Sequence, residues 1–292
     1  MYWYKMPDGQ QNFGDDLGPY LVSKLSGKAI RYVPIVRPKL QTMVIFLRGL
    51  KSGKYKIAAA KSVVTGLFKK QILVTVGSVI SKFNNPNVAV WGAGLMSEKG
   101  IIHKARFHAV RGKYTQARIK ELGFEVPEAL GDPALLLPLI IPAKGAQKYQ
   151  LGIIPHYIHY EKISAENKNE AVLIINLLDD IEKVVQDITS CAYTISSSLH
   201  GIIVSHAYSI PSLWYQLSEK KLSGDNIKFA DYFSSVAIDR YTPFELPDND
   251  VEAIIAQIKK NPSQSMIQND LALIQKHLLS VAPFPLLQQY AV

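Results

Sequence analysis

The chain has 292 residues, of which 48% are hydrophobic and 20% charged, a composition typical of a globular protein long enough for two domains. A single cysteine, Cys191, excludes a disulfide scaffold and a thiolate zinc cluster, and it fits a reducing compartment. No apolar run reaches the roughly 18 residues that cross a bilayer, and no secretion signal is visible, so a cytoplasmic protein is expected.

Charge is distributed unevenly along the chain. Residues 1–120 contain 21 Lys and Arg against four Asp and Glu, a net charge of +17, whereas the 12 bases and 20 acids of residues 121–292 give −8. No acidic residue occurs between Leu17 and Ser97. The basic half is therefore expected to face nucleic acid, a phosphorylated substrate or an anionic membrane. Nucleic acid is not expected as a partner, because no nucleic-acid motif accompanies the charge.

Short apolar runs alternate with helical patterns, which predicts a parallel α/β fold. In the first half, a helix face that includes Leu17 and Leu25 is expected to end at Gly27. The other elements of this half are predicted as strands at 72–76, 88–91 and 107–110 and a helix at 115–122. The segment 131–149 is rich in glycine and proline, and the charge changes sign near it, so we expect a domain boundary there.

The second half shows the same alternation. Its elements are predicted as strands at 151–154, 172–177, 192–195 and 212–215, helices at 181–188 and 204–208, and late helices at 249–260 and 265–280. We therefore expect two Rossmann-like domains that face a cleft, a basic one over residues 1–140 and a second over 150–265. A C-terminal helix and tail would occupy residues 266–292.

Basic residues are interleaved with apolar ones over 48–70. This pattern predicts a basic amphipathic helix that lies on an anionic membrane surface, and the alternative is a solvated helix with an ordinary core face. The basic members are Arg48, Lys51, Lys54, Lys56, Lys61, Lys69 and Lys70, and the apolar members are Leu50, Ile57, Val64, Leu67 and Phe68.

A glycine turn with polar residues precedes the first predicted helix. Asn12, Gly14, Asp15 and Asp16 lie in this turn, and the N–H groups of a helix N-terminus favour a negatively charged ligand. One of the two aspartates is expected to cap the helix. The other is a candidate base that accepts a hydroxyl proton.

A serine-rich turn links a predicted strand to the helix after it. Ser197, Ser198 and Gly201 surround His200 at this strand end, which is where ligands bind in open α/β sheets. Hydroxyls and helix N-terminal amides suit a phosphate, and His200 is the candidate proton donor. The alternative is a run of capping serines with a structural histidine. No G-x-S-x-G elbow supports a serine hydrolase.

Further candidates follow other strand ends. Arg111 is either a surface residue or a clamp for a carboxylate or phosphate, and Lys228 is a second candidate cation. The pair His156 and His159 lacks a third ligand, so no metal is expected. The sequence contains neither a dinucleotide fingerprint nor a Walker A motif, so no organic cofactor is expected.

Taken in order, these motifs resemble the polysaccharide pyruvyl transferase family over about residues 10–235. The carrying segments are 12–16, 108–112, 131–134, 197–201, 207–211 and 228–232. Two positions depart from the family pattern. Ser198 stands where many members have arginine before Leu-His-Gly, and Gly77 followed by Ser78 stands where many have a run of glycines.

The resemblance implies a fold like that of the two-Rossmann glycosyltransferases. It also implies transfer of pyruvate from phosphoenolpyruvate to a saccharide as a cyclic ketal, with phosphoenolpyruvate as co-substrate and no other cofactor. His200 would be the acid or phosphate-binding group, Arg111 and Lys228 would bind the donor, and Asp15 or Asp16 would take an acceptor proton. The acceptor would be lipid-linked and met by the basic domain at the inner face of the membrane, and the second domain would bind the donor phosphate.

Two other functions remain open from the sequence. One is a glycosyltransferase of the same architecture that uses a nucleotide sugar, although neither an E-x7-E-like pair nor a uridine pocket is evident. The other is a non-catalytic membrane-associated protein whose basic half is its whole function. Activity with phosphoenolpyruvate distinguishes the three.

Overall fold

The computed structural model describes residues 1–6, 10–34, 37, 39–55, 57–60, 63–64, 71–216, 225–245 and 250–292. These residues form two parallel β-sheets surrounded by helices, which confirms the predicted α/β class. The helices are α1 (Phe13–Ser26), α2 (Lys39–Lys51), α3 (Lys113–Glu121), α4 (Leu137–Ile140), α5 (Tyr160–Glu166), α6 (Ile181–Thr189), α7 (Leu199–Ala207), α8 (Ile227–Ser235), α9 (Val251–Lys260), α10 (Pro262–Ser265) and α11 (Leu271–Ser280).

The first sheet contains four parallel strands in chain order. They are β1 (Ile72–Thr75), β2 (Val88–Trp91), β3 (Arg106–Val110) and β4 (Ala129–Leu130). All four residues of β2 are buried, as expected for a strand covered on both faces of a parallel sheet. The apolar core of this sheet includes Ile119 of α3 and Ile227 and Ala230 of α8.

The second sheet contains five parallel strands in the order β6-β5-β7-β8-β9. They are β5 (Tyr149–Ile154), β6 (Val172–Ile174), β7 (Cys191–Ser196), β8 (Ser212–Gln216) and β9 (Phe244–Glu245). This order is that of a flavodoxin-like doubly wound sheet, whose direction of winding reverses between its first and third strands, here β5 and β7. Ligands of such sheets bind beyond the carboxyl ends of the strands at that reversal.

The two sheets share one large apolar core, and several hydrogen bonds cross between chain halves. The Phe13 N–H at the start of α1 donates to the Leu177 carbonyl at 2.9 Å, which joins α1 to the second sheet. The Trp91 indole of the first sheet likewise donates to the Leu278 carbonyl of α11 at 2.9 Å, which joins α11 to that sheet. The core itself includes residues of α1, α6, α7 and α11. Residues that precede the predicted boundary therefore pack against residues that follow it.

Most predicted elements lie where the apolar patterns place them. The strand expected over 172–177 ends at Ile174, and the single helix expected over 265–280 is wrong because α10 ends at Ser265 and α11 begins at Leu271. The sheet changes between Leu130 and Tyr149, within the predicted boundary segment. The division into two domains with a tail, and the glycosyltransferase-like arrangement, stay predictions.

The continuous amphipathic helix expected over 48–70 is wrong in its first part. Helix α2 ends at Lys51, and the chain then turns through Gly53, whose φ of 75° lies in the left-handed region that favours glycine. Residues 56, 61–62 and 65–70 lie outside the described residues, so the predicted insertion of Leu67 and Phe68 is not described. No helix within the described ranges combines the length and apolarity required to cross a membrane.

Candidate active site

The carboxyl ends of strands from both sheets meet at one place. His156 follows β5, and its backbone N–H donates to Ser197 Oγ, which follows β7, at 2.8 Å. Asp132 follows β4 of the first sheet, and its Oδ2 lies 4.0 Å from Nε2 of His200 on α7. This convergence falls at the β5/β7 reversal, where a doubly wound sheet binds its ligand.

The turn before α1 gives Asn12, Asp15 and Asp16 different tasks. Asn12 is the N-cap, because its side-chain oxygen accepts the Gly14 N–H at 3.2 Å, so the expected aspartate cap is wrong. Asp16 supports this cap, since its Oδ2 accepts the Asn12 N–H at 3.2 Å. Burial and the neighbouring charge of Asp16 raise the pKa of Asp15 to about 7, against a lowering effect of Lys228.

The serine turn is held together by its own backbone contacts. The Ser196 hydroxyl accepts the Ser198 N–H at 3.0 Å and donates to the Ser198 carbonyl. Ser198 itself occupies the N-cap of α7 without a capping side-chain bond. A Cβ at Gly201 would collide with Ser196 Oγ, so this glycine allows the first turn of α7 to approach β7. The turn thereby fixes His200 at the strand ends.

His200 lies between the two chain halves. A Cβ at Gly14 would collide with its Nδ1, so glycine is required for α1 to approach the imidazole this closely. Neither His200 Nε2 nor the facing Asp132 Oδ2 has a hydrogen-bond partner among the described residues, although both are buried. Such unsatisfied buried groups are rare in proteins, and here the two atoms lie 4.0 Å apart.

The electrostatics of this pair follow from burial. Burial, together with the smaller effects of the charges of Arg111 and Lys228, lowers the pKa of His200 to about 3, so the imidazole is neutral at pH 7. Burial raises the pKa of Asp132 to about 6, against the opposing effects of the Ala134 N–H and Arg111. A bound anion would reverse the effect of the cations and raise the pKa of His200.

Arg111 is an internal tie between β3 and α8. It is fully buried, as is Asp231 of α8, and its Nε donates to Asp231 Oδ2 at 3.0 Å. Its Nη1 donates to Ser78 Oγ at 2.8 Å and its Nη2 to the Leu95 carbonyl at 2.7 Å. The surface-residue alternative is therefore wrong. A guanidinium has five N–H groups, and the predicted donor clamp would have to use those that remain.

Lys228 is the second cation of the site. It lies in the first turn of α8, and its Nζ is 5.2 Å from the centre of the Phe229 ring. Burial and the charge of Arg111 lower the pKa of Lys228 to about 8, while Asp15 stabilises the protonated form. The sequence-predicted residues Asp15, Arg111, Lys228 and His200 thus act on one another electrostatically.

His156 and His159 flank the same region. Burial, Lys228 and His159 together lower the pKa of His156 to about 4, and its Nδ1 has no hydrogen-bond partner among the described residues. The two ring centres lie 6.4 Å apart. Within the described part of the chain, no group of three or more His, Cys, Asp or Glu side chains is arranged to hold a metal ion.

Sequence reasoning missed the roles of two aspartates. Asp132 caps the 3-10 turn Pro133–Leu136 through the Ala134 N–H at 2.9 Å and also faces His200. Asp231 accepts from Arg111 and from both the N–H and the hydroxyl of Thr115. Both aspartates lie in segments that carry the family resemblance, 131–134 and 228–232, so their motifs were visible while their contacts were not.

The fold and the site define an α/β protein with two parallel sheets and a buried, cation-bearing site at their joined strand ends. The chain belongs to the polysaccharide pyruvyl transferase family, because residues 12–218 match the family model described as polysaccharide pyruvyl transferase. Membership implies polysaccharide pyruvyl transferase activity in general, and so a transferase. The chain is also similar to the uncharacterized protein L143 of Acanthamoeba polyphaga mimivirus, with 32% identity over 226 residues that cover 69% of this chain and 77% of that protein.

Proposed function

We propose that the protein transfers pyruvate from phosphoenolpyruvate to two hydroxyls of a saccharide, where it forms a cyclic ketal. The observation that carries the proposal is the unpartnered pair of His200 Nε2 and Asp132 Oδ2 in a member of this family. The charges of the buried Arg111 and the partly buried Lys228 act on this His200. An anionic donor would supply the missing hydrogen-bond partner of His200 and offset the positive charge of Arg111 and Lys228.

The donor carries a phosphate and a carboxylate and so requires cations. Lys228 is the cation that we assign to direct contact, because its ammonium is a compact charge held at the site with its pKa at about 8. Arg111 would stabilise the donor by its charge without direct contact, because buried hydrogen bonds hold it to Asp231 and Ser78. The first turn of α7 adds its N–H groups and the hydroxyl of Ser198.

The reaction requires two proton movements. Two acceptor oxygens form bonds to the central carbon of phosphoenolpyruvate, and the bond from that carbon to the phosphate oxygen breaks. The methylene carbon gains one of the two hydroxyl protons and becomes a methyl group, and the departing phosphate takes the other. A base near the acceptor and an acid near the donor therefore suffice, with no net uptake of protons.

Asp15 and His200 suit these two roles. Asp15 has a pKa of about 7, so that a large fraction is ionised at neutral pH and can accept a hydroxyl proton. His200 is neutral at pH 7 and would become more basic beside the negative charge of the donor, which lets it carry a proton to the methylene carbon or the phosphate. Asp132 faces its Nε2 and stabilises the protonated imidazole.

Phosphate release is the direct test of this function. The purified chain is incubated with phosphoenolpyruvate and a panel of lipid-linked saccharides, and both inorganic phosphate and the pyruvylated product are measured. We expect equal amounts of the two with at least one acceptor. Release of a nucleotide from a nucleotide sugar, with no phosphate release from phosphoenolpyruvate, would instead assign the site to a glycosyltransferase.

Substitution of the two aspartates by asparagine separates their roles. We expect Asp15→Asn to lose most turnover without a loss of melting temperature at pH 8, because the raised pKa means that the ionised carboxyl destabilises the folded state above its unfolded pKa. Asp16→Asn should keep turnover and lose about 1 kcal/mol of stability, since it weakens the Asn12 cap.

The pH profile provides a second readout for Asp15. On the alkaline side, the rate should fall as Lys228, with a pKa of about 8, and the donor-bound His200 lose their protons. On the acidic side, a base must be ionised, so kcat/KM of the natural chain should rise with pH up to about 7. Asp16→Asn serves as the matched control and should retain this limb, shifted to lower pH because the charge of Asp16 no longer raises the pKa of Asp15. If both variants lose stability but keep turnover, the catalytic role of Asp15 is wrong.

A further inference from the structure

Helix α2 presents an apolar face to solvent. Leu40, Met43, Val44 and Leu47 follow the i, i+3, i+4, i+7 spacing that places them on one side, with exposures of 78%, 42%, 38% and 58%. The opposite side carries the buried residues, Thr42, Phe46 and Gly49 among them. The usual orientation of an amphipathic helix is thus not followed, since its larger aliphatic side chains face outward.

The buried side of α2 packs in a small cluster of its own. Phe46 and Val63 form this cluster with Tyr55, whose ring centre lies 5.9 Å from that of Phe46. Ile57, in the 3-10 turn after α2, is a further exposed apolar residue, with an exposure of 80%. The apolar cores of the two sheets include no residue of α2, so the outward face of this helix does not contribute to them.

The surroundings of this face are cationic. Lys51 follows Leu47 by one turn on the same side, Arg48 lies beside it, and Lys54 comes directly after the helix. All three are exposed, and the sequence has no acidic residue between Leu17 and Ser97 to neutralise them. A helix with exposed leucines bordered by lysine and arginine has the composition that binds an anionic lipid surface.

We infer that α2 docks on an anionic bilayer, with Leu40, Met43 and Leu47 among the acyl chains and Arg48 and Lys51 at the lipid phosphates. A second copy of the chain is a poorer occupant, because a symmetric contact would bring the same cations against each other. The inference goes beyond the proposed function and does not depend on it.

Vesicle co-sedimentation tests the inference without any substrate. The full chain is mixed with vesicles of phosphatidylglycerol and phosphatidylcholine, or of phosphatidylcholine alone, at low and high salt. We expect binding to the anionic vesicles that falls steeply with salt. The double variant Leu40→Ser/Leu47→Ser should bind at least tenfold more weakly, while Leu273→Ser, which changes a leucine of 65% exposure on α11, should bind like the natural chain.

A charge variant completes the test. Arg48→Gln/Lys51→Gln should also weaken binding at least tenfold, whereas Lys260→Gln/Lys276→Gln, which removes the same charge from exposed positions in the second half, should not. Equal binding by the natural chain and both α2 variants would overturn the inference. So would an absence of vesicle binding combined with a dimer that Leu40→Ser/Leu47→Ser dissociates, because the occupant would then be a second copy.

Discussion

Replacing His200 by alanine should lower turnover by roughly 100-fold or more, the range typical of acid–base groups. Three observations support the proposed role of the imidazole: its contact with Gly14, its position at the end of β7, and an unpartnered Nε2 that faces Asp132. The variant should stay folded. Nε2 of His200 has no hydrogen-bond partner among the described residues, so removing the imidazole breaks no hydrogen bond of that atom. Steady-state kinetics of phosphate release with phosphoenolpyruvate provide the measurement.

Two variants serve as controls for His200. His277→Ala changes an exposed histidine of α11 and should leave turnover unchanged. Asp132→Asn keeps an oxygen for the Ala134 N–H but removes the charge that faces Nε2, so the alkaline limb of the rate profile should shift to lower pH. Near-normal turnover of a folded His200→Ala protein would remove His200 from the mechanism.

The second large effect concerns stability and involves the pair of Arg111 and Asp231. Asp231→Ala should cost about 3–5 kcal/mol, because it leaves the guanidinium buried without its carboxylate. It also removes the acceptor of the Thr115 N–H and hydroxyl. A domain of ordinary stability, about 5–15 kcal/mol, would lose much of its margin. Urea unfolding followed by circular dichroism measures the loss.

The partly exposed pair Arg118 and Glu121 is a matched control for the buried one. Its two charges lie 2.7 Å apart on α3, and Glu121→Ala should cost less than about 1 kcal/mol because solvent screens the pair. The double variant Arg111→Met/Asp231→Ala should lose less stability than the two single variants lose together, since no buried charge remains unpaired. Equal losses for Asp231→Ala and Glu121→Ala would show that the buried pair adds little.

The strands and the location of the site were predictable from the sequence because each depends on local pattern. Apolar runs such as 88–91 mark buried strands, and polar residues at their ends mark a ligand edge. The contacts within the site were not predictable in this way. The pairing of Arg111 with Asp231 joins residues 120 positions apart, and no local rule relates them.

In the turn before α1, the roles of the polar residues could not be predicted from the sequence either. Asn12, Asp15 and Asp16 are all competent caps, and the choice between them depends on how α1 meets the second sheet through the Phe13 and Leu177 hydrogen bond. The apolar face of α2 was hidden for another reason. Its leucines read as ordinary core residues, and only the fold reveals that they point away from the core.

The burial of Arg111 by a residue of α8 has a consequence for the order of folding. While the ribosome is still making the second half, the emerging first sheet would have to bury a guanidinium with no carboxylate to receive it. Gly112 also lacks its packing partner at that stage, because its backbone packs closely against the backbone of Asp231. The first sheet can therefore reach its final packing only after α8 has been synthesised, so its maturation is tied to late translation.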